Sequence, residues 1–226
     1  ATKKAIVKYE FIPESKVEVI YNGIEPLKPS KTNVETLKKG LGLTSTDFVF
    51  GTVARLDPIK NQKLIIKAMA NVIKTQPNAK VLIVGDGDER ESLIQLTSTL
   101  GVKDQVVFTG YIPSPQDYIA LMDVFLLPSF SEGTSMTLLE AMSLGKPCIV
   151  TNVGGNPEVI AHMKTGLVIP TNDLEALTQS MLSFLANKNL KDNFGNNALT
   201  VYSERFVNTK MTAAYANIYK RLNSIG

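Results

Sequence analysis

Two carboxylates, Glu132 and Glu140, stand in a stretch from Pro128 to Pro147 that otherwise carries little charge. The stretch predicts a loop followed by a helix over about residues 134–144, apolar nearly all the way round, as in a buried helix. Because a buried carboxylate is costly unless something binds it, Glu140 would accept both hydroxyls of a vicinal diol, such as a ribose, or pair with a Lys or Arg elsewhere. Glu132, just before the helix, is explained by a ligand or by the helix dipole alone.

The residues between these carboxylates predict an anion site at the start of the helix. Gly133 lets the backbone approach a ligand closely, and the first amides of a helix have no partner within it. The amides concerned belong to Thr134, Ser135, Met136 and Thr137. The alternative is that Thr134 and Ser135 act only as capping residues.

A second charged group, Arg55 with Lys60, precedes another predicted helix. The N-terminus of a helix disfavours cations and favours anions. Two cations at this end are explained if they share an anion with the helix, most simply a phosphate. The alternative is that both are surface side chains, paired with Asp57 or solvated.

The elements that would position these residues alternate strictly between strand and helix. Such alternation, with mostly continuous apolar strands, predicts a parallel sheet covered on both faces. The predicted fold class is α/β, a Rossmann-like, doubly wound, six-stranded parallel sheet in the order 3-2-1-4-5-6, with further helices at the C-terminus. The predicted strands are 48–54, 80–84, 105–109, 124–127, 148–151 and 166–169.

The strand order predicts where a ligand would lie. In such sheets ligands bind beyond the carboxyl ends of the strands, where the order reverses, here between strands one and four. Arg55 and Lys60 follow strand one and Glu132 follows strand four. We therefore expect both charged groups to face one crevice.

The flanking regions are less regular. Residues 16–20 alternate polar and apolar, which predicts a short strand, and Ser30 or Thr32 would cap a helix that ends at Gly40. At the other end, residues 190–199 and 206–222 are predicted to be helical.

Composition excludes several classes of protein. A hydrophobic fraction of 44% over 226 residues supports a sizeable core, and a net charge of +3 without a basic run does not indicate nucleic acid. The single cysteine, Cys148, cannot form an internal disulfide and fits a reducing compartment. Asp86 and Asp88 resemble a metal-binding pair, but too few oxygen ligands cluster there, so neither a metal nor a cofactor is expected. The lone His162 offers no catalytic triad.

Several motifs, in order, resemble one family. Glu132 and Glu140, with seven residues between them, match the E-x7-E signature of retaining glycosyltransferases of the GT-B fold, family 4, also called glycosyl transferases group 1. Residues 53–61 look like the strand-one loop of that family, and residues 84–87 and 108–112 resemble its strand-two and strand-three ends. The similarity extends over about residues 16–219.

The resemblance implies separate roles for the charged residues. Arg55 and Lys60 would hold the diphosphate of a nucleotide sugar, Glu140 would take the ribose hydroxyls, and Glu132 would contact the donor sugar. Arg55, Lys60 and Glu132 are thereby the candidate catalytic residues. The amides from Gly133 to Thr137 would surround the sugar and the phosphate.

The resemblance also implies a site for the base. Tyr111 and Ile112 would frame the nucleotide base, and Gly85, at the strand-two end, counts among the donor-binding residues. Thr134-Ser135 stands where Phe-Gly is frequent in the family, so the identity of the sugar is less defined than nucleotide binding.

The family has two Rossmann-like domains, of which the chain resembles the C-terminal, donor-binding one. Residues 1–29 would be the end of the acceptor domain and the linker, residues 30–200 the nucleotide-sugar domain, and residues 201–226 the C-terminal crossover helix. A retaining transfer from a nucleoside diphosphate sugar, UDP by family prevalence, to an acceptor held by the missing N-terminal domain is the implied function. The fragment alone would be inactive.

Two alternatives remain from the sequence. One is a GT-B sugar-nucleotide epimerase, which would need acid and base groups that the sequence does not show. The other is a non-catalytic nucleotide-binding module. The implied location is cytoplasmic, at the inner face of the membrane if the full-length protein associates peripherally with it.

Overall fold

A six-stranded parallel sheet forms the centre of the structure, a computed structural model that describes residues 2–223, without the side chains of residues 2, 4 and 5. The strands are β1 (Phe48–Val53), β2 (Ala79–Val84), β3 (Val106–Phe108), β4 (Val124–Leu127), β5 (Cys148–Thr151) and β6 (Gly166–Ile169). The predicted order, β3-β2-β1-β4-β5-β6, is confirmed, and every neighbouring pair is parallel.

Helices cover both faces of this sheet, as its apolar strands require. The helices are α1 (Thr2–Tyr9), α2 (Lys31–Gly40), α3 (Gln62–Val72), α4 (Arg90–Thr99), α5 (Gln116–Leu121), α6 (Met136–Ser143), α7 (Asn156–Val159), α8 (Leu174–Ala186), α9 (Lys188–Arg205) and α10 (Asn208–Asn223). On one face α3, α4 and α8 pack around residues such as Ile65 and Phe184. On the other face α5, α6 and α9 pack around Leu138 and Tyr202.

The N-terminal region differs from the prediction. Helix α1 was not predicted, and the strand predicted at residues 16–20 is wrong. The chain there forms a short 3-10 helix, Glu14–Lys16, followed by residues that pair with no strand. Residues 16–20 do not lie beside a described strand with which they could pair. The nearest β-type pairing that follows them in the sequence is an isolated bridge between Ile24 and Val207. Helix α2 matches the prediction, with Ser30 as its N-cap.

The C-terminal helices lie where helical structure was predicted, but α9 is longer and reaches Arg205. Helix α10 buries none of its residues, and it leaves Tyr215, Tyr219 and Leu222 exposed. The predicted segments 1–29 and 201–226 extend beyond the described residues, because residue 1 and residues 224–226 lie outside them. Within residues 2–223 we find no helix with both the length and the apolar character needed to cross a membrane.

Candidate functional site

The loops that follow β1 and β4 contact each other directly. The amide of Phe130 donates a hydrogen bond to the carbonyl of Ile59 at 2.8 Å, and Asn61 Nδ2 donates to the carbonyl of Pro128 at 3.4 Å. The contact follows from the parallel pairing of β1 with β4. The structure therefore places the two charged loops side by side at the point where the strand order reverses.

Lys60 and Glu132 form an ion pair across this junction. Lys60 Nζ lies 2.8 Å from Glu132 Oε1, and Ser129 Oγ donates to the same oxygen at 2.7 Å. The Glu132 side chain is only 6% exposed and that of Lys60 is 25% exposed. Asp57 accepts from the backbone amide of Lys60 at 3.1 Å rather than from its ammonium group. The position of Glu132 is thus explained by its ion pair and hydrogen bond rather than by the helix dipole alone. Lys60 is likewise a paired side chain rather than a solvated one.

Replacing Lys60 with methionine is expected to lower the free energy of unfolding by about 1–2 kcal/mol, because it leaves a buried carboxylate with Ser129 as its remaining donor. Urea unfolding would measure the loss. Glu132→Gln in the Lys60→Met background should recover most of it, since no charge is then left unpaired. Lys63→Met, which breaks the more exposed pair of Lys63 with Glu89, is the matched control and should cost less than about 0.5 kcal/mol. Equal losses in both lysine variants would contradict a buried pair.

Arg55 is held less firmly than Lys60. Its side chain is 68% exposed, and its Nη2 atom lies 3.7 Å from Asp88 Oδ2, a carboxylate that is itself exposed. A contact of this length between exposed groups contributes little. The guanidinium group is therefore available to an anion in the crevice.

Two cavities meet along the end of β1. A cavity of about 420 Å³ extends from Arg55 past Gly85 to Tyr111 and Ile112. Another, of about 300 Å³, extends from Arg55 towards Lys60 and Glu132, and the segment from Thr134 to Thr137 lines it. Val53, Ala54, Arg55 and Thr137 line both. Together they form one cleft that brings most of the predicted site residues together.

Gly133 lines neither of these two cavities. It faces a third cavity, of about 280 Å³, on the side of Glu132 that adjoins Tyr21 and Glu158. The Tyr21 hydroxyl donates to Glu158 Oε2 at 3.2 Å, and burial, together with this hydrogen bond, raises the pKa of the tyrosine. Glu132 therefore borders open space on two sides.

Close backbone packing fixes the shape of the cleft. Gly85 has φ +142°, and a Cβ atom there would lie 1.9 Å from the carbonyl oxygen of Ala54. Gly154 has φ +50°, and a Cβ atom there would lie 1.7 Å from the carbonyl oxygen of Glu132. Gly155 donates from its amide to the carbonyl of Gly133 at 3.1 Å. The Gly154-Gly155 pair thus supports the Glu132 loop.

The first turn of α6 is open to a ligand. Ser135 occupies the N-cap position, but its side chain caps no amide, and its Oγ atom instead lies 3.1 Å from Thr137 Oγ1. The alternative that Ser135 serves as a side-chain cap is therefore wrong. The segment from Thr134 to Thr137, which contains the start of α6, lines the cleft, and the dipole at this end of the helix favours an anion.

Glu140 lies one turn beyond Thr137 on the same face of α6. It does not itself line either main cavity. Its Oε2 atom is buried and, among the described residues, has no hydrogen-bond partner, and burial raises its pKa. The alternative pairing with a Lys or Arg is not found among those residues. A buried carboxylate oxygen without a partner in the protein is expected where a ligand donates a hydrogen bond to it.

Glu140→Gln should stabilise the chain at neutral pH by about 1 kcal/mol, or about 2–4 °C in melting temperature. Because the pKa is raised in the folded state, Glu140 opposes folding above that pKa, and the penalty disappears as the pH falls towards 4.5, its ordinary value. Thermal unfolding at neutral and acidic pH would therefore show a gain that shrinks on acidification. Glu175→Gln, on the exposed face of α8, is the control. A loss of stability at neutral pH would contradict the unpartnered state of Glu140.

Residues that the sequence analysis set aside have structural roles. His162 Nδ1 accepts a hydrogen bond from the amide of Val168 at 3.0 Å. Cys148 is fully buried, which raises the pKa of its thiol and makes it unreactive. Over residues 2–223 no three His, Cys, Asp or Glu side chains are grouped closely enough to hold a metal ion.

Comparison with known proteins identifies the family. Residues 33–201 match the family described as Glycosyl transferases group 1. The N-acetyl-alpha-D-glucosaminyl L-malate synthase of Bacillus anthracis is 32% identical over 92% of this chain and 54% of its own length. The UDP-Gal:alpha-D-GlcNAc-diphosphoundecaprenol alpha-1,3-galactosyltransferase of Escherichia coli is 31% identical over 82% of this chain and 49% of its own length.

A solved structure agrees with this. The crystal structure of Anabaena HepE in complex with UDP superposes with a TM-score of 0.90 at 25% identity, over 98% of this chain and 62% of that one. The chain thus spans about half the length of the two curated relatives and 62% of the crystallised one. With the cleft, the strand order and the E-x7-E spacing already described, it belongs to the group 1 glycosyltransferases and has the Rossmann-like fold found in one half of a GT-B enzyme.

Proposed function

We propose that this chain is the donor-binding half of a retaining glycosyltransferase that transfers a sugar from a UDP-sugar to an acceptor. The observation that carries the proposal is the unpartnered Oε2 atom of Glu140, one helical turn from a cleft that contains Arg55. A diol donor placed in the cleft supplies the hydrogen bonds that this oxygen lacks.

The cleft suits a nucleoside diphosphate sugar along its length. The base lies between Gly85 and Tyr111, a residue that is 72% exposed. The ribose reaches Glu140, and the diphosphate lies against Arg55, Lys60 and the first amides of α6. The sugar then meets Glu132.

Relatives support UDP as the nucleotide. HepE has been crystallised with UDP and with UDP-glucose, and the E. coli relative is named for UDP-Gal. Mycobacterial relatives named for GDP-mannose match as well, which makes GDP the competing nucleotide in any binding assay.

Catalysis in this proposal rests on charge at the leaving group. Arg55, Lys60 and the first amides of α6 stabilise the charge that develops on the departing diphosphate. Glu132, which borders the sugar, accepts a hydrogen bond from the buried Ser129, and this hydrogen bond weakens it as a nucleophile even when Lys60 contacts the diphosphate. This favours front-face transfer, in which the acceptor attacks on the side that the diphosphate leaves.

In this proposal the acceptor is held by a second domain, most of it outside these 226 residues. We assign residues 1–29 to the end of that domain and the linker, residues 30–200 to donor binding, and residues 201–226 to the returning helix. The exposed Tyr215, Tyr219 and Leu222 of α10 are consistent with packing against another domain. Transfer requires both domains, so the chain alone binds donor without turnover. Its site of action is the cytoplasm, where sugar nucleotides occur, at the inner membrane face for a lipid-linked acceptor.

Calorimetry with UDP, GDP and ADP tests this proposal. We expect UDP to bind most tightly and, at 100 times its Kd, to stabilise the chain by about 2.7 kcal/mol. No binding of any of the three would contradict the proposal. Sugar transfer by the full-length protein would then distinguish a transferase from a non-catalytic binder.

A further inference from the structure

A chain of buried hydrogen bonds connects Glu132 to the sheet. Ser129 Oγ donates to Glu132 Oε1 at 2.7 Å. The carbonyl oxygen of Ser129 accepts from Thr151 Oγ1 at 2.6 Å. Ser129 and Thr151 are both fully buried, and Thr151 is the last residue of β5. The Glu132 carboxylate is thus tied to the end of a central strand.

A bound ligand would affect the two hydrogen-bond donors to Glu132, Lys60 and Ser129, differently. Lys60 and Ser129 both contact Oε1, whereas Oε2 accepts no hydrogen bond from the described part of the chain. A bound diphosphate attracts the Lys60 ammonium group, which is partly exposed. Ser129 is buried and carries no charge, so it keeps its contact with Oε1 when Lys60 turns to the diphosphate.

The backbone of the Glu132 loop has little freedom to compensate for the loss of this contact. The Gly154 backbone packs against the carbonyl of Glu132 so closely that a Cβ atom would not fit. Gly155 also donates to the carbonyl of Gly133 at 3.1 Å. The direction of the Glu132 side chain therefore depends on its hydrogen bonds rather than on loop movement.

We propose that Ser129 is a positioning residue for recognition of the donor sugar, itself held in place by Thr151. Through its hydrogen bond to Oε1 it keeps Oε2 of Glu132 directed towards the sugar hydroxyls. This inference rests on the proposed function and deepens it. It separates sugar recognition, which depends on Ser129, from nucleotide recognition, which does not.

Calorimetry on the 226-residue chain tests the proposal with UDP and with UDP-glucose, UDP-galactose and UDP-N-acetylglucosamine. The quantity of interest is the Kd of UDP divided by the Kd of the UDP-sugar that the wild-type chain binds most tightly. Ser129→Ala should lower this ratio about threefold to tenfold, the effect of one hydrogen bond, and change the Kd of UDP less than about twofold. A residue with only a structural role would weaken both ligands alike.

Two further variants distinguish a specific loss of sugar recognition from a general folding defect. Thr151→Val keeps the shape of the side chain, removes its hydroxyl, and should lower the ratio in the same direction by a smaller factor. Ser183→Ala removes a similar hydrogen bond, from Ser183 Oγ to the carbonyl of Ser180 in α8, and should leave the ratio unchanged.

Each outcome either supports or overturns the positioning role of Ser129. A lowered ratio with preserved UDP binding in the Ser129 and Thr151 variants supports the positioning role. An unchanged ratio, an equal loss of UDP and UDP-sugar, or a wild-type ratio of one for every sugar overturns it and leaves the proposed function standing. If the wild-type chain does not bind UDP, the proposed function fails and the positioning role fails with it.

Discussion

Replacing Arg55 with alanine is expected to weaken the binding of UDP by about 1.5–3 kcal/mol, the contribution of a hydrogen bond to a charged group. The guanidinium group is exposed at the junction of two cavities, and its contact with Asp88 is long. It therefore gives up little in the free protein when it binds a diphosphate. Calorimetric titration of both chains with UDP measures the difference, which corresponds to a fall in affinity of about 10-fold to 150-fold.

The matched control for this variant is Lys103→Ala. It removes the same charge from an exposed residue that precedes β3, at the end of the sheet opposite the cleft. We expect it to change UDP affinity by less than about twofold, because charges so far apart are screened at physiological salt. Equal effects of both substitutions would show that Arg55 contributes only to the overall charge.

Replacing Glu140 with alanine is expected to weaken UDP binding by about 3 kcal/mol, because two hydrogen bonds to one carboxylate are lost. The same side chain opposes folding in the free protein, since its buried Oε2 atom has no partner among the residues that the structure describes. Removing it should therefore cost affinity without the loss of stability that misfolding would produce. Titration with UDP and thermal unfolding of the same sample measure the two effects together.

The control for Glu140 is Glu175→Ala. Glu175 lies exposed in the first turn of α8 and accepts a hydrogen bond from Gln179, so its removal should leave UDP affinity unchanged. A Glu140→Ala variant that binds UDP normally would contradict the ribose assignment. A variant with a melting temperature well below that of the wild-type chain would contradict the unpartnered state of Glu140.

Much of the fold could be predicted because its signals are local. Each strand is a short apolar run and each helix has its own periodicity, so alternation alone indicated the order of the sheet and the crevice between β1 and β4. The prediction was wrong where a segment with a strand-like pattern has no neighbouring strand to pair with. Residues 16–20 alternate like a strand, but no strand pairs with them in the structure.

The details of the site were less accessible from the sequence. The ion pair of Lys60 with Glu132 joins residues 72 positions apart, and no pattern states that one will neutralise the other. Ser129 resembles any loop serine, three residues before Glu132, until its burial and its contact with Thr151 are known. The role of Gly154 depends on how closely its backbone approaches Glu132, which is also a property of the folded chain.

A comparison of UDP with its 2′,3′-dideoxyribose analogue, by calorimetry on the wild-type chain and on Glu140→Ala, tests the central claim most directly. We expect the wild-type chain to bind UDP at least about tenfold more tightly than the analogue, as loss of hydrogen bonds to a charged group implies. We expect the variant to bind both equally. Equal binding of both ligands by the wild-type chain, or a preference for UDP that survives in the variant, would contradict the assignment of Glu140 to the ribose.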